Sequence, residues 1–369
     1  MNVFFIALSC VFVIYFIYAA LLVFLNDKDS GHGTEADALP FVSVLVAARN
    51  EEKNIERCMQ ALIELDYPKD RIEFLIGDDQ SMDLTSMFVK AFEQKDARIR
   101  LVRIKADLGS ARGKANVLAH LAREAKGEFL FITDADIKVP KTWVKGLLKK
   151  FNKDIAIVSG STAIDGQSLI AKLQNIEWIY AFGMVNMVSS WGVPVSAVGN
   201  NMAIRKEAYD QTGGYENIPF SVTEDLALFK VVVKNGWKFV NFASADTLGS
   251  SKEQPDYASL LKQRRRWMAG AMGLPLVLFV FLFLQQIYIP LWLTMFFFSW
   301  KIAVGIMVLK LVLEALFIQK QWKRCGRTDS WLHLFLPYQL YTGLFALVLG
   351  VYYIFTPKVT WKGRKFDGK

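Results

Sequence analysis

Residues 3–25 form an apolar stretch that carries no charged side chain over 23 positions. A helix needs roughly 20 such residues to cross the hydrocarbon core of a bilayer, which is about 30 Å thick. A cleaved signal peptide would need a basic start, a shorter apolar core and a cleavage site with small residues, and this stretch has none of them. The sequence therefore predicts an uncleaved N-terminal transmembrane anchor over residues 1–26.

A second apolar region extends from residue 273 to residue 356, in runs at 273–300, 302–318 and 331–355. Hydrophobic residues make up 53% of the chain. Soluble proteins have about 45–50%, and the apolar regions account for the excess. Between them, residues 27–272 have an ordinary globular composition. We expect one water-soluble domain, then three or four C-terminal membrane crossings, and a basic tail at 357–369.

The surplus of basic residues lies next to the apolar runs. Loop 320–330 has four basic residues and one acidic residue, and residues 356–369 have five and one, which together supply +7 of the formal charge of +9. Basic flanks favour the cytoplasmic side of a membrane, so we expect the soluble domain on the cytoplasmic face. Because the positive charge is juxtamembrane, we expect no nucleic acid partner. The three isolated cysteines form no disulfide or zinc pattern, which suits a reducing compartment.

These charges conflict with a simple count of crossings. If the three C-terminal runs each cross once, loop 320–330 and the tail lie on opposite sides, although both are basic. The last run contains Pro337 and two glycines, which would also suit a hairpin or a partly interfacial segment. The sequence leaves the number of crossings open.

The soluble domain alternates strands and helices. Four apolar runs, at 41–48, 72–77, 99–104 and 128–133, are typical of buried strands. Helical patterns follow them, and Asn50 is expected to cap the first helix ahead of two acidic residues. This alternation predicts an α/β fold with a mostly parallel sheet and helices on both faces. Ligands of such sheets bind beyond the carboxyl ends of the strands.

Polar clusters occur at these strand ends and at two later positions. They are Ala48-Arg49-Asn50-Glu51, Asp79, Asp134-Ala135-Asp136, Thr223-Glu224-Asp225 and Gln263-Arg264-Arg265-Arg266-Trp267. Two carboxylates separated by one residue can reach one ligand, and Mg²⁺ takes one or two protein carboxylates together with phosphate oxygens. Simpler readings are an Asp-capped turn at 134–136, a helix N-terminus at 223–225 and a basic membrane flank at 264–266.

Several other chemistries are not supported. No G-x-G-x-x-G motif follows the first strand. The segment 109–115 fails the P-loop pattern, because its glycines are too close and Ala115 stands in place of Ser or Thr. The three histidines lie in a linker, a helix and a membrane region, which argues against catalysis or metal binding by histidine. A general base in this chain must therefore be a carboxylate.

The order of the clusters resembles that of the membrane-bound inverting glycosyltransferases of family 2. Members of this family include cellulose synthases, hyaluronan synthases and ceramide glucosyltransferases. The resemblance covers residues 40–272 and rests on five motifs in register. It implies a Rossmann-like GT-A fold flanked by transmembrane helices, a nucleotide-sugar donor and a divalent metal, Mg²⁺ or Mn²⁺. Family habit favours a UDP-sugar. The segment Thr360–Arg364 is similar to the basic, Trp-containing end of ceramide glucosyltransferase-like members.

The resemblance also implies roles for individual residues. Donor-binding residues would be Ala48, Arg49, Asn50, Glu51, Asp79, Lys114 and Asp134. Asp136 would bind the metal, and Asp225 would be the general base that accepts the proton of the acceptor hydroxyl. Contacts with the diphosphate and the acceptor would come from Asn200, Asn201, Glu224, Gln263, Arg266 and Trp267. For Asn200 and Asn201, a buried pair of asparagines in a turn is an equally good reading.

The acceptor is predicted to be a membrane lipid. Residues 253–270 combine aromatic and basic side chains in a way that fits an interfacial helix beside the active site. A polysaccharide synthase must thread its product through the bilayer and would need a larger helix bundle. A processive synthase nevertheless stays an alternative, because Gln-x-x-Arg-Trp also marks those enzymes. A catalytically inactive nucleotide-sugar binder is a further alternative.

Overall fold

The computed structural model describes residues 2–25, 39–254, 256–271, 273–356, 358–361 and 364–367. The start of the predicted soluble domain, 27–38, and parts of the predicted basic tail lie outside the described residues. The strands are β1 Val42–Ala48, β2 Ile72–Asp78, β3 Ile99–Arg103, β4 Phe129–Asp134, β5 Ile137–Lys138, β6 Ile155–Ser159, β7 Thr162–Asp165, β8 Asn201–Arg205, β9 Lys238–Asn241, β10 Gly249–Lys252, β11 Lys358–Trp361 and β12 Arg364–Asp367.

Thirteen α-helices occur among the described residues. They are α1 Asn2–Phe24, α2 Ile55–Ile63, α3 Thr85–Lys95, α4 Gly113–Glu124, α5 Trp143–Leu148, α6 Leu169–Ser190, α7 Lys206–Gln211, α8 Glu224–Lys234, α9 Tyr257–Ala271, α10 Leu276–Gln286, α11 Tyr288–Phe298, α12 Trp300–Arg324 and α13 Phe335–Phe355. Helices α2 to α5, α7 and α8 cover the sheet, whereas α1 and α10 to α12 form a bundle. Helix α6 packs on β7 and β9 and shares the core of the bundle.

Seven strands form the main sheet, in the order β3-β2-β1-β4-β8-β6-β9. Strands β3, β2, β1 and β4 are parallel neighbours, as the sequence predicted. Strand β8 is the exception, because it runs antiparallel to both β4 and β6. The fold is therefore the expected α/β class with a mostly parallel sheet.

The core explains why the strands are apolar at consecutive positions. In β1, Val44 and Val46 join a cluster with residues of α2 and α3, whereas Leu45 joins a cluster with residues of α4. Successive side chains of a strand point to opposite faces, so a sheet covered on both faces buries all of them. These two clusters hold the strand ends, and with them the polar loops, in one place.

One local prediction is wrong. Helix α2 begins at Ile55 with Asn54 as its N-cap, whereas Asn50 lies in the preceding loop with a φ of 52°. Asparagine tolerates this left-handed conformation because its short side chain bonds locally. Asn50 therefore shapes a loop at the sheet edge and does not begin a helix.

The apolar helices fit the predicted membrane segments by length and composition. Among the described residues, α1, α12 and the helix ending in α13 are each long enough to cross a bilayer, and α10 with α11 forms a pair bent by 57°. After the soluble domain this makes at most three candidate spans, so a fourth crossing is not available among the described residues. Helix α6 of the soluble domain packs against α1, α12 and α13.

Candidate active site

The register of the parallel strands places three polar clusters at one edge of the sheet. Ala48 at the end of β1 lies beside Asp78 of β2, and Ala47 lies beside Asp134 of β4. Parallel strands end at the same edge, so the loops after β1, β2 and β4 converge there. The candidate site is built from these loops and from the N-termini of α4 and α8.

The loops after β1 and β2 are tied together. Arg49 Nη1 donates to the carbonyl oxygen of Asp79 at 2.5 Å and lies 3.5 Å from its carboxylate Oδ2. Asn50 accepts from the backbone N–H of Met82 at 2.9 Å, and its own N–H donates to Ser81 at 3.0 Å. Glu51 N–H donates to a hydroxyl at the start of α3. These contacts hold Arg49 and the nearly buried Asp79 in one conformation.

A cleft of about 290 Å³ opens beside Asp79. Its lining comprises Asp79, Gln80, Ile104, Lys105, Ala106, Asp107, Arg112, Gly113 and Asn116. Asn116 shapes one wall, because its side chain accepts from Leu108 N–H at 2.8 Å and donates to the Ala106 carbonyl at 3.0 Å. The sequence did not predict Arg112 or Asn116 as site residues, although both lie in or near segment 109–115, whose glycines were noted.

Lys114, in the first turn of α4, is the centre of a charge cluster. Its Nζ lies 2.6 Å from Asp134 Oδ1 and 2.8 Å from Glu224 Oε1, and it donates to the Gly199 carbonyl at 3.5 Å. Burial opposes the charge of Lys114, but the carboxylates of Asp134 and Glu224 outweigh it and raise the pKa of Lys114 above its usual value. The ammonium joins three segments that are remote in sequence.

Asp225, in the first turn of α8, has the pKa expected of a base. Its Oδ2 accepts from Gly199 N–H at 2.9 Å and its Oδ1 accepts from Leu226 N–H at 2.8 Å. Burial and the neighbouring Glu224 carboxylate raise the pKa of Asp225 to about 6. Each carboxylate oxygen keeps acceptor capacity beyond one hydrogen bond, so the group is able to receive a proton at neutral pH.

The adjacent Glu224 has the opposite shift. Burial by itself would raise its pKa, but the Lys114 ammonium outweighs burial and holds the pKa of Glu224 below its usual value. Arg266 of α9 adds to this lowering, which places its positive charge near Glu224. Two neighbouring carboxylates with separated pKa values are typical of a site in which one acts as a base and the other stays ionised.

Asp136 follows β4 and is half-buried. Among the described residues, no group of three or more His, Cys, Asp or Glu side chains forms a ready-made metal cage. Magnesium and similar hard cations use one or two carboxylates and complete their coordination with substrate phosphates. The donor set of Asp136 and Asp134 at one strand end therefore fits a metal that is held jointly with a diphosphate.

The two asparagines after Gly199 are engaged by the protein itself. Asn201 is fully buried, where its Oδ1 accepts from Trp143 and its Nδ2 donates to the carbonyls of Ser161 and Thr247. These contacts give Asn201 a structural role, which corrects its prediction as a ligand contact. The side chain of Asn200 accepts from Thr162 Oγ1 at 3.0 Å.

Helix α9 carries the later motif along the side of the site. A Cβ at Gly270 would lie 2.7 Å from Thr223, which is the N-cap of α8, so α9 approaches the helix that bears Asp225. Gln263 accepts from Arg264, and the ring of Trp267 lies 5.2 Å from that of Trp178 in α6. Gln263 and Trp267 are thus held by contacts inside the protein.

The neighbours of this motif form an ion pair that the sequence did not predict. Arg264 is 4% exposed and donates to both carboxylate oxygens of Glu177, at 2.9 and 2.8 Å. The Arg264 guanidinium also stacks over Trp267. A basic flank that contacts lipid therefore describes Arg264 poorly. The only sequence signal of this contact was Glu177, the one acidic residue in the largely apolar α6.

Comparison with solved structures defines the class of the fold. A mannosyltransferase, PcManGT from Pyrobaculum calidifontis, solved in complex with GDP-Man and Mn²⁺, superposes with a TM-score of 0.58 at 19% identity. The match covers 95% of this chain and 98% of that chain. The fold, including its flanking apolar helices, is that of a GT-A-type glycosyltransferase.

The family follows from the sequence. The sequence model of glycosyl transferase family 21 matches residues 3–368, so the chain belongs to this family. It is therefore a glycosyltransferase, in a ceramide glucosyltransferase-like family related to family 2, as the motifs indicated.

Individual relatives match about two thirds of the chain. A Bacillus subtilis protein named "Probable glycosyltransferase YdaM" is 31% identical over 237 residues, which are 63% of this chain and 55% of the relative. A beta-monoglucosyldiacylglycerol synthase of Synechocystis is 27% identical over 242 residues, 64% of this chain and 49% of the relative. The chain thus spans about half the length of these relatives.

Proposed function

We propose that this glycosyltransferase transfers a hexose from a UDP-sugar to a hydroxyl of a membrane lipid of the diacylglycerol type, with inversion at the anomeric carbon. The observation that carries the proposal is Asp225, whose pKa of about 6 and position beside the Lys114 cluster suit a general base. The synthase from Synechocystis, whose name specifies a glucosyldiacylglycerol product, supports the choice of acceptor.

The donor would lie along the sheet edge. The cleft beside Asp79 would take the nucleoside, with Arg49 and the loop 48–51 forming its floor. The diphosphate would then lie beside Lys114. The ammonium of Lys114, which pairs with Asp134 in this structure, would pair with a phosphate oxygen instead. Arg266 would add a planar fork of donors for phosphate oxygens from α9.

A divalent metal would be held by Asp136, with Asp134 beside it, and by the diphosphate. When bound, such an ion neutralises the charge that develops on the leaving diphosphate. The mannosyltransferase from Pyrobaculum calidifontis was solved in complex with GDP-Man and Mn²⁺, which supports a metal of this kind. Neither Mg²⁺ nor Mn²⁺ is favoured by the residues of this chain.

The protein's own part in the reaction is to position the acceptor and to take its proton. The acceptor oxygen forms a bond with the anomeric carbon while the bond from that carbon to the diphosphate breaks. The proton of the hydroxyl passes to the carboxylate of Asp225, which the two backbone N–H groups hold in place. Glu224 stays ionised beside Lys114, so it does not compete for that proton.

The lipid acceptor would enter from the cytoplasmic face. Helix α9 lies between the site and the apolar helix α13. The site would therefore lie close to the membrane surface, where a lipid hydroxyl at the level of the headgroups would reach it. The basic residues of loop 320–330 support the cytoplasmic assignment.

The test is an assay of the purified full chain in lipid vesicles that contain diacylglycerol, with Mg²⁺ or Mn²⁺ and one labelled nucleotide sugar at a time. We expect label from a UDP-hexose in one discrete lipid, and loss of that product with EDTA. The Asp225→Asn variant is the matched control, because it should bind UDP and form no product.

Other outcomes would identify the alternatives. Polydisperse, water-soluble label would indicate a processive synthase and would refute a lipid acceptor. UDP binding without transfer from any donor to any lipid would refute the catalytic proposal and would indicate a nucleotide-sugar binder.

A further inference from the structure

Helix α13 packs differently from the other long apolar helices. Helix α1 packs on α10, α11 and α12, whereas α13 packs mainly on α6, which adjoins both the sheet and the bundle, and on α9. Its direct polar contact with α12 is a hydrogen bond from Lys310 Nζ to Gln339 Oε1 at 2.8 Å. A helix that crossed the bilayer beside α12 would be expected to pack along it. Over its first turns α13 does run beside α12, from Trp331 at Gln319 to Gln339 at Lys310, whereas beyond Tyr341 it leaves α12 and follows α6 and α9.

The start of α13 lies at the end of the bundle that adjoins the soluble domain. Lys320 near the end of α12 donates to the carbonyls of Val23 and Leu25 at the end of α1, at 2.9 and 2.6 Å. Trp331, just before α13, donates to Gln319 of α12 at 2.9 Å. The ends of α1 and α12 and the start of α13 therefore share one level.

The remainder of α13 is held by the soluble domain. Tyr341 donates to Glu177 of α6 at 3.0 Å, and the ring of Phe345 packs on Tyr257 of α9 at 5.8 Å. At the far end, Arg265 of α9 donates to the carbonyl and to the hydroxyl of Thr356, the latter at 3.2 Å. Because α9 also carries the Gln263-x-x-Arg266-Trp267 motif, both ends of α13 lie on the side of the catalytic site.

The face of α13 that points away from these contacts is an exposed apolar stripe. It consists of Leu336, Leu340, Leu344, Leu347, Val351 and Ile354. Each is between 58% and 74% exposed, and their spacing of three or four residues places them on one side of the helix. A stripe of this size needs an apolar partner, and the neighbouring α12 carries a similar row of exposed apolar side chains.

The basic segments on either side of α13 favour a position in the plane of the membrane. Loop 320–330 precedes α13 and residues 356–369 follow it, and both segments are basic. A crossing would place them on opposite faces of the membrane, against the preference of basic flanks for the cytoplasmic side. An in-plane helix places both on the same face. The count of crossings after the soluble domain then becomes two, the bent pair α10–α11 and α12.

We propose that α13 is an interfacial helix that lies along the leaflet facing the catalytic domain, with its leucine stripe among the acyl chains, and does not cross the bilayer. The stripe is the interaction surface and the lipid surface is its partner. This placement is independent of which sugar or lipid the enzyme uses. It also fixes the depth of α9, because α13 lies beneath that helix at Phe345 and Thr356.

The test measures the depth of nitroxide labels in the full chain, reconstituted in vesicles after replacement of the three cysteines. Single labels are placed at Leu336, Leu340, Leu344, Val351 and Ile354. A matched series on α12 uses Val304, Val308, Val312 and Leu316, which form a similar exposed stripe. Depth is obtained from collisions with oxygen and with a water-soluble nickel complex.

We expect all α13 labels to stay within the leaflet that faces the catalytic domain, with Leu336 and Leu340 beside α12 and the labels from Leu344 to Ile354 about 5–10 Å below the headgroups, as for an interfacial helix. The α12 series should instead pass through a maximum near the bilayer centre, about 15 Å deep. A maximum of the same kind along α13 would overturn the proposal.

A second measurement does not depend on the cysteine replacements. The native chain receives a protease-cleavable tag after residue 369, and sealed vesicles are digested from outside. If α13 is interfacial, tag and soluble domain are cleaved in the same fraction of molecules. Protection of the tag in vesicles whose soluble domain is digested would show a crossing and refute the in-plane helix.

Discussion

Replacement of Asp225 by asparagine is the most direct test of the catalytic proposal. The substitution keeps the size of the side chain and leaves one amide oxygen to accept from either Gly199 or Leu226. It removes the proton acceptor, the group that binds a proton when the acceptor hydroxyl loses it. We expect donor binding to be preserved, because Asp225 is assigned to the acceptor and not to the nucleotide.

The size of the effect follows from the pKa. With a pKa of about 6, Asp225 is more than about nine-tenths ionised at pH 7.5, so nearly all of the wild-type enzyme carries the base. General-base catalysis contributes roughly 10²–10⁴ in rate, which equals about 3–5 kcal/mol in the barrier. We therefore expect kcat to fall by about that factor. One backbone N–H loses its acceptor, which costs about 1–3 kcal/mol of folding free energy.

The assay measures initial rates of lipid glycosylation and, separately, UDP binding by calorimetry. Asp210→Asn is the matched control, since Asp210 lies on the surface of α7, where it pairs with Lys206 one turn away. That variant should keep wild-type turnover. An Asp225→Asn enzyme that binds UDP and keeps turnover within threefold of the wild type would refute the assignment of the base.

Three further predictions follow from the geometry of the site. Below pH 6, kcat/KM should fall about tenfold per pH unit, because protonated Asp225 cannot accept a proton, and a flat profile from pH 5 to 7 would contradict this. Asp136→Ala should weaken UDP binding in the presence of Mn²⁺ and leave the binding in EDTA unchanged; equal effects in both would remove Asp136 from the metal site. In Gly199→Ala, the added Cβ would lie 2.6 Å from Asp225 Oδ2 and displace the carboxylate. We expect at least a tenfold loss of kcat with UDP binding kept, while Gly305→Ala, which meets open space, should be neutral.

Much of the fold could be predicted from local patterns. The run at 72–77 became β2 Ile72–Asp78, and the run at 41–48 became β1 Val42–Ala48. These strands are buried on both faces, so their composition alone reveals them. Strand β8 was not predicted, because its antiparallel pairing with β4 and β6 joins residues that are 43–76 positions apart in sequence. Nothing in five residues of β8 specifies such remote partners.

The candidate site was predictable where it follows strand ends and not elsewhere. Asp134 could be placed at the same sheet edge as the loops after β1 and β2, because parallel strands end at a common edge, whereas its position next to β1 came from the structure. The bond from Lys114 to Glu224 spans 110 positions and depends on how α8 docks on the sheet. Asn201 shows the reverse limit: its residue type suits a ligand contact, but its buried hydrogen bonds show that the fold uses it for packing.

The sequence by itself determined which segments are apolar enough to enter a membrane and which residues would supply the chemistry. Both are properties of composition and of spacing along the chain. Only the tertiary structure decided that Asp225 is the carboxylate with a raised pKa, because burial and the charge of Glu224 depend on neighbours. It also decided the course of α13, since Arg265 and Glu177 hold that helix and lie far from it in sequence. Hydropathy reports how favourable it is to transfer a segment out of water, whereas tertiary packing determines how the helix is oriented.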